Sequence, residues 1–396
     1  MNAETKKRKY TKRRESWGSK RKLPSGRYQV SYVGPGGERY PGPHTFDTLG
    51  DARAWLNGVK HTIDSGKWRN PKAISAEKFK PYTLVWIEQR VSSKGEHLRP
   101  NTRAEYRRYL DKGLASFADV ALSNITPAAV RAWHLDRSKS GKTAAALEAR
   151  LLRAVFTTAA EDGIVEKNPV DSRLCKTSAG KAHRAPTSAE LQTMLEAFEE
   201  HAPRLRLAAL LSAWGGLRLS EWRALRRSDL GFDGERYTVN VTRQAARSKA
   251  NWKQRIVGPP KSAEGERVVY LPKRLTADVA AHLAEQVGSP PESLLFAPAG
   301  EAEFLDDRTF NRAFDKARIA AGVRRKVEAE GEPTRFENDV TEHDLRAYAG
   351  TMYAQSGATL RETMAFLGHS TTEAAMTYQR ATGRAAELAD RMGEAS

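Results

Sequence analysis

The residues equipped for chemistry gather towards the C-terminal end of the chain, between Thr341 and Tyr378. The stretch reads T-E-H-D-L-R-A-Y-A-G-T and, further on, L-G-H-S-T-T-E-A-A-M-T-Y. His343 and Arg346 are three residues apart, so a helix places them on one face. Thr341 is the expected N-cap of that helix and Gly357 its expected stop. His369 follows a glycine and precedes S-T-T, the expected start of a second helix, with Tyr378 one to two turns into it. Imidazoles, a guanidinium and a phenol are the groups needed to attack a phosphodiester and neutralise the charge that develops on it. Tyr378 is the candidate nucleophile.

Two further cations lie upstream. Gly215-Gly216 reads as a tight turn into a short helix that begins at Arg218. Glu221, three residues on, can pair with Arg218 or a neighbour, and such a pair also serves a purely structural purpose. Lys261 lies between R-I-V-G-P-P-K-S and G-E-R-V-V-Y-L-P, which read as a hairpin turning near Ala263 to Gly265, with Lys261 at its tip. Taken singly, each position has a plain alternative. Most turn lysines are only solvated, His343 and His369 fit buried structural sites, and Tyr378 fits a core.

The elements that must position these groups follow from the rest of the chain. Its 396 residues exceed one ordinary core and fit two to four domains. A formal net charge of +18 makes nucleic acid the first candidate partner. No run of about 18 apolar residues is present, so neither a membrane span nor a membrane partner is expected. The basic N-terminus lacks the apolar core of a secretory signal. Cys175 is the single cysteine, which excludes an intrachain disulfide and a cysteine metal cluster and fits a reducing cytoplasm.

The expected organisation is multidomain. Residues 1–21 read as a basic tail that self-repels. Residues 22–68 read as a small α+β domain, a three-stranded sheet from R-Y-Q-V-S-Y-V, E-R-Y and H-T-F with one helix from Leu49 to Ile63. Arg27, Gln29 and Ser31 share one face of its first strand, suited to a DNA groove or simply to solvent. Residues 76–172 read as an all-α domain, with helices at Tyr82 to Val91, from Pro100-Asn101, from Thr126-Pro127 and at Leu147 to Ala160. Arg103 and Lys142 on its polar faces are candidate DNA contacts, with a solvated helix face as the alternative. Residues 173–185 read as a linker. Residues 186–396 read as a mainly α domain with a small antiparallel sheet, opened by a Thr187–Glu190 capping box. Gly322 to Asp339 reads as a charged loop, and Arg384 to Met392 as a short amphipathic terminal helix.

G-L-R-L-S-E at Gly216 to Glu221, P-K-S at Pro260 to Ser262, H-D-L-R at His343 to Arg346, L-G-H-S at Leu367 to Ser370, and Tyr378 occur in this order. This set resembles the tyrosine recombinases, the phage integrase family, over about Thr187 to Arg380. The helical region is similar to the family's core-binding domain and the N-terminal region to its arm-type DNA-binding domain. The resemblance implies that Tyr378 attacks the scissile phosphate to form a 3′-phosphotyrosyl link. It implies that Arg218 and Arg346 hold the non-bridging oxygens and that His369 is a further donor. His343 would assist proton transfer from the tyrosine, Lys261 would protonate the leaving 5′-oxygen, and Glu221 would support the arginines. Ala347 stands where many relatives carry a histidine.

The same resemblance implies no cofactor: the guanidinium forks make a metal unnecessary, and the phosphotyrosine conserves the bond energy. Implied partners are double-stranded DNA at core and arm attachment sites, a homotetramer on DNA, a host bending factor and a directionality factor. The implied setting is the nucleoid of a bacterial host's cytoplasm. A phage or mobile-element integrase is the expectation. The alternatives are a resolvase-type recombinase of the family, which usually lacks an arm domain, a type IB topoisomerase, a non-catalytic DNA-binding regulator and a metal-dependent nuclease.

Overall fold

The computed structural model describes residues 17–66, 68–71, 77–92, 95–177, 184–298, 303–327, 335–372 and 376. Tyr378 and the Arg384 to Met392 segment lie outside them. The chain divides into two compact units, Met1–Ser178 and Ala179–Ser396.

The first unit opens with an antiparallel sheet in the order β1 (Gly18–Lys22), β2 (Tyr28–Val33), β3 (Arg39–Pro41), followed by helix α1 (Leu49–Asp64). Period-two alternation in β2 sends Val30 and Tyr32 inward against Tyr40, Phe46, Ala52 and Leu56. Arg27 and Gln29 stay exposed on the alternate side, where Arg27 pairs with Asp47 at 3.1 Å. The strands differ from expectation in one respect. H-T-F makes only an isolated bridge, Phe46 to Tyr28. The remaining strand is Gly18–Lys22, within a stretch whose charges read as a tail. It pairs with β2 along its whole length, Ser19 opposite Ser31 and Arg21 opposite Gln29. Its own residues carry little strand preference, and the edge of β2 decides.

The helical part of this unit comprises α2 (Phe79–Gln89), α3 (Pro100–Asp111), α4 (Pro127–Ser140) and α5 (Lys142–Glu161). Thr126 caps α4, its side chain accepting from the Ala129 N–H, with Pro127 at the first position. Phe79, Ile87, Leu110, Leu152 and Phe156 form the core. Arg103 pairs with Glu88 at 3.3 Å, and Lys142 is the exposed first residue of α5.

In the second unit, α6 (Ser188–His201) starts at a capping box in which Thr187 and Glu190 satisfy each other's backbone N–H. It packs on α10 (Asp307–Ala320), while α7 (Pro203–Gly215) packs on α11 (Glu342–Gln355). The short helix α8 (Leu219–Trp222) follows α7. Next comes an antiparallel sheet of β4 (Leu230–Phe232), β5 (Tyr237–Val241) and β8 (Arg267–Tyr270). The expected hairpin around Ala263 to Gly265 is not the one formed. β7 (Arg255–Gly258) pairs back onto β6 (Gln244–Arg247) as a separate ribbon, and β8 pairs with β5. Residues Ala263–Gly265 form a single 3-10 turn between the two sheets. Lys261 therefore sits in a connector rather than at a hairpin tip.

Helix α9 (Thr276–Glu285) covers α7. The stretch read as a loop at 322–339 contains the hairpin of β9 (Arg324–Val327) and β10 (Arg335–Asn338), Arg324 opposite Asn338. R-R-K-V and R-F-E-N carry no alternating pattern that would announce strands. Helix α12 (Leu360–Leu367) completes the described elements. Among the described residues no helix is long and apolar enough to cross a membrane.

Candidate active site

Three turns of the second unit meet at one place. The first is the end of α7. Gly216 takes the left-handed conformation that closes the helix (φ 62°), and Arg218 then begins α8. Glu221 folds back onto that start. Its carboxylate accepts the Arg218 backbone N–H at 3.0 Å and the Arg218 guanidinium at 2.6 Å. Arg218 keeps 31% of its side chain exposed, whereas Glu221 is buried.

The second is the start of α11. The Asp344 carboxylate accepts the Thr341 backbone N–H at 2.7 Å and its hydroxyl at 2.6 Å, which fixes the first turn. His343 stands at the exposed rim. Arg346, one turn in, is fully buried and donates to the carbonyls of Gly216 and Leu367. It thereby ties the turn before Arg218 to the turn before His369.

The third is the end of α12, a helix opened by a Thr359–Glu362 capping box. Gly368 ends it in the left-handed region (φ 61°). A Cβ there would lie 2.8 Å from the Glu264 carbonyl oxygen, so glycine is needed for conformation and for space. The Gly368 carbonyl accepts from Arg218 at 3.4 Å, and the His369 N–H donates to Met364 at 2.9 Å.

The sequence places Arg218, Glu221, His343, Arg346 and His369 as separate motifs, and the fold brings them together. Lys261 belongs to the connector whose Glu264–Gly265 turn packs under Gly368.

Glu221 is the electrostatic centre. Arg218, Arg267 and Arg346 approach its carboxylate at 2.6, 3.0 and 3.8 Å. Burial pushes this carboxyl up, but the charges of Arg267, Arg346 and Arg218 outweigh it and hold the group below the usual carboxylate range. The same arginines act on the imidazoles. Desolvation, then Arg346 and Arg218, bring His369 down to about 4. Desolvation and Arg346 likewise hold His343 below its ordinary value. At neutral pH His369 is uncharged, and the site's positive potential comes from guanidinium groups, which keep their charge across the working range.

Two residues of the site escaped the motif reading. Arg267 opens β8, and its side chain is only 6% exposed. It shares the inward face with the buried Val269 and Leu271, and a cation on a buried strand face is a usable signal. Glu342 occupies the inward face of α11 with Leu345 and Ala349, at three- and four-residue spacing. Its carboxyl accepts from the Ser212 hydroxyl at 3.3 Å, and burial drives it up to about 7.

Glu342 carries a prediction. The folded state binds this proton more tightly than the unfolded chain does. Its stabilising contribution is complete below the ordinary carboxylate value of 4.5 and is lost as pH rises through about 7. Glu342→Gln mimics the protonated form. It is expected to match the parent at pH 5 and to be more stable by on the order of 1–3 kcal/mol at pH 8, read from urea unfolding. A variant less stable than the parent at pH 8 would mean that Arg223 and Arg346 hold the carboxylate charged.

Known proteins resemble this chain in sequence and in fold. A family model described as "Phage integrase family" matches residues 186–384, and one described as "Phage integrase, N-terminal domain" matches residues 16–65. The integrase of Mycobacterium phage D29 is 36% identical over 393 residues, covering 96% of this chain and 98% of that protein. A putative prophage phiRv2 integrase of Mycobacterium tuberculosis is 35% identical over 387 residues, covering 96% and 95%. Among solved structures, the Tn1549 transposon integrase in complex with transposon right end DNA superposes with a TM-score of 0.62 at 18% identity, over 79% of this chain and 98% of that one. A lambda integrase dimer bound to a COC′ core site gives 0.51 at 20%, over 93% and 97%. The solved structures match in fold, and the mycobacterial relatives match along nearly the whole chain. The five-residue cluster around Glu221 thus sits in a chain that belongs to the phage integrase family of tyrosine recombinases.

Proposed function

We propose that this site-specific recombinase cuts and rejoins DNA through a 3′-phosphotyrosyl intermediate on Tyr378, to integrate or excise a phage or mobile element. The observation that carries the reading is the convergence of Arg218, Arg346, His343 and His369 around the buried carboxylate of Glu221. Arg218, with an exposed edge, grips one non-bridging oxygen, and Arg346 adds charge from beneath. His369, held neutral, donates a hydrogen bond to the phosphate. His343 assists removal of the phenolic proton, needed because a phenol of pKa about 10 is a poor nucleophile at neutral pH. Lys261 protonates the departing 5′-oxygen. No cofactor enters the scheme.

The division of labour follows the chain. The N-terminal sheet and helix, residues 22–68 with strand Gly18–Lys22 added, take arm-type sites, Arg27 and Gln29 facing the DNA. Residues 76–172 grip the core site with Arg103 and Lys142 among the contacts. Residues 186–396 carry the chemistry, reached through a 173–185 linker. Two DNA-binding modules on one chain bind a bent substrate by effective concentration. The working assembly is a homotetramer on attachment-site DNA in the nucleoid of a bacterial host, with a bending factor and a directionality factor as partners. The N-terminal domain matched at residues 16–65 favours an integrase over a resolvase.

The experiment is a nicked duplex carrying candidate core sites. Loss of the short strand traps the covalent intermediate. The expected result is a 3′ adduct mapped to Tyr378 that forms equally well in EDTA. A 5′ adduct, or cleavage abolished by EDTA, would overturn the mechanism.

A further inference from the structure

Arg267 contacts four separate acceptors in the site. Its Nε donates to the Phe366 carbonyl at 2.8 Å and its Nη1 to the Gly265 carbonyl at 3.0 Å. Its Nη2 donates to Glu221 at 3.0 Å and to the Gly216 carbonyl at 3.4 Å. One planar fork thus touches the turn before Arg218, the last turn of α12 before His369, and the connector that follows Lys261. A lysine offers one compact ammonium and cannot span these acceptors.

The connector transmits that anchoring to Lys261. The Gly265 N–H donates to the Ser262 carbonyl at 3.0 Å, closing the turn next to Lys261. Gly265 also lies against Pro260, so closely that a Cβ on it would fall 2.4 Å from the Pro260 Cβ. Above this turn sits Gly368, with no room for a side chain. Lys261 is therefore flanked by two residues, Pro260 and Ser262, that both bear on Gly265, and Gly265 is held by Arg267.

We infer that Arg267 is a positioning residue for the proton donor: through Gly265 it sets where Lys261 stands relative to the phosphate grip of Arg218 and Glu221. This rests on Lys261 as the donor. In the step concerned, the Tyr378 oxygen bonds to phosphorus, the bond from phosphorus to the 5′-oxygen breaks, and that oxygen takes a proton from the Lys261 ammonium. Replacing the bridging 5′-oxygen by sulfur removes the need for the proton, because a thiolate leaves unaided at neutral pH.

The test compares nicked suicide duplexes with 5′-oxygen and 5′-sulfur at the scissile position, using full-length Lys261→Ala, Arg267→Gln and Gly265→Ala. The last keeps the guanidinium and displaces only Pro260, so the test stands even where Arg267→Gln folds poorly. All three are expected to slow covalent attachment by about 100-fold on oxygen and to return within about 5-fold of the parent on sulfur, as loss of a general acid requires. Recovery of Lys261→Ala alone, with Arg267→Gln and Gly265→Ala equally slow on both duplexes, would overturn the positioning role. No recovery of Lys261→Ala would overturn the donor assignment itself, and the inference with it.

Discussion

Tyr378→Phe is expected to abolish covalent attachment, lowering it by at least about 10⁴-fold, while leaving core-site binding within about twofold of the parent. The phenolic oxygen is the one atom that bonds to phosphorus in the proposed scheme, and nothing else in the site replaces it. Binding draws instead on a chain of net charge +18, which the substitution leaves unchanged. The measurement pairs gel-shift titration with denaturing electrophoresis of the trapped adduct on the nicked duplex. Undiminished attachment would remove Tyr378 as the nucleophile. DNA binding by both proteins with no covalent attachment by either would favour the non-catalytic regulator reading.

The local instructions in this chain were legible, and the non-local ones were not. The Thr187–Glu190 capping box, Thr126-Pro127 and the glycine stop after α11 each depend on residues within one helical turn, and each is present as read. Strand partnership depends on residues far apart. β7 and β8 look like neighbours across Ala263 to Gly265, yet each finds a better partner upstream. The same divide runs through the site. The motifs mark Arg218, Glu221, His343, Arg346 and His369, because each lies within or next to a locally encoded turn or cap. Arg267 and Glu342 carry no motif, and what defines them is the burial that comes from packing β8 on β5 and α11 on α7. Gly368 is half legible. Its role as a helix stop follows from the local pattern, but its fit against Glu264 requires the assembled fold.

Arg346→Lys, conservative in charge, is expected to be severe. Arg346 is wholly buried, with its two terminal nitrogens on the carbonyls of Gly216 and Leu367, 3.8 Å from the Glu221 carboxylate. A lysine keeps the charge that Glu221 needs but has a single nitrogen on a flexible stem. One of the two carbonyls loses its donor, a cost of about 1–3 kcal/mol for a buried acceptor. The turns carrying Arg218 and His369 then lose one of their two ties, the other being Arg267. Attachment on the nicked duplex should fall by about 10³-fold, the scale of removing a preorganised donor from a developing charge, with binding weakened much less. A duplex with a neutral methylphosphonate at the scissile position separates the two parts of this effect. If Arg346 acts on phosphate charge, the deficit should shrink to within about 10-fold on the neutral linkage, since the charge it opposes is gone. An equal deficit on both linkages would reduce Arg346 to a brace between two turns and leave Arg218 as the cation that meets the phosphate.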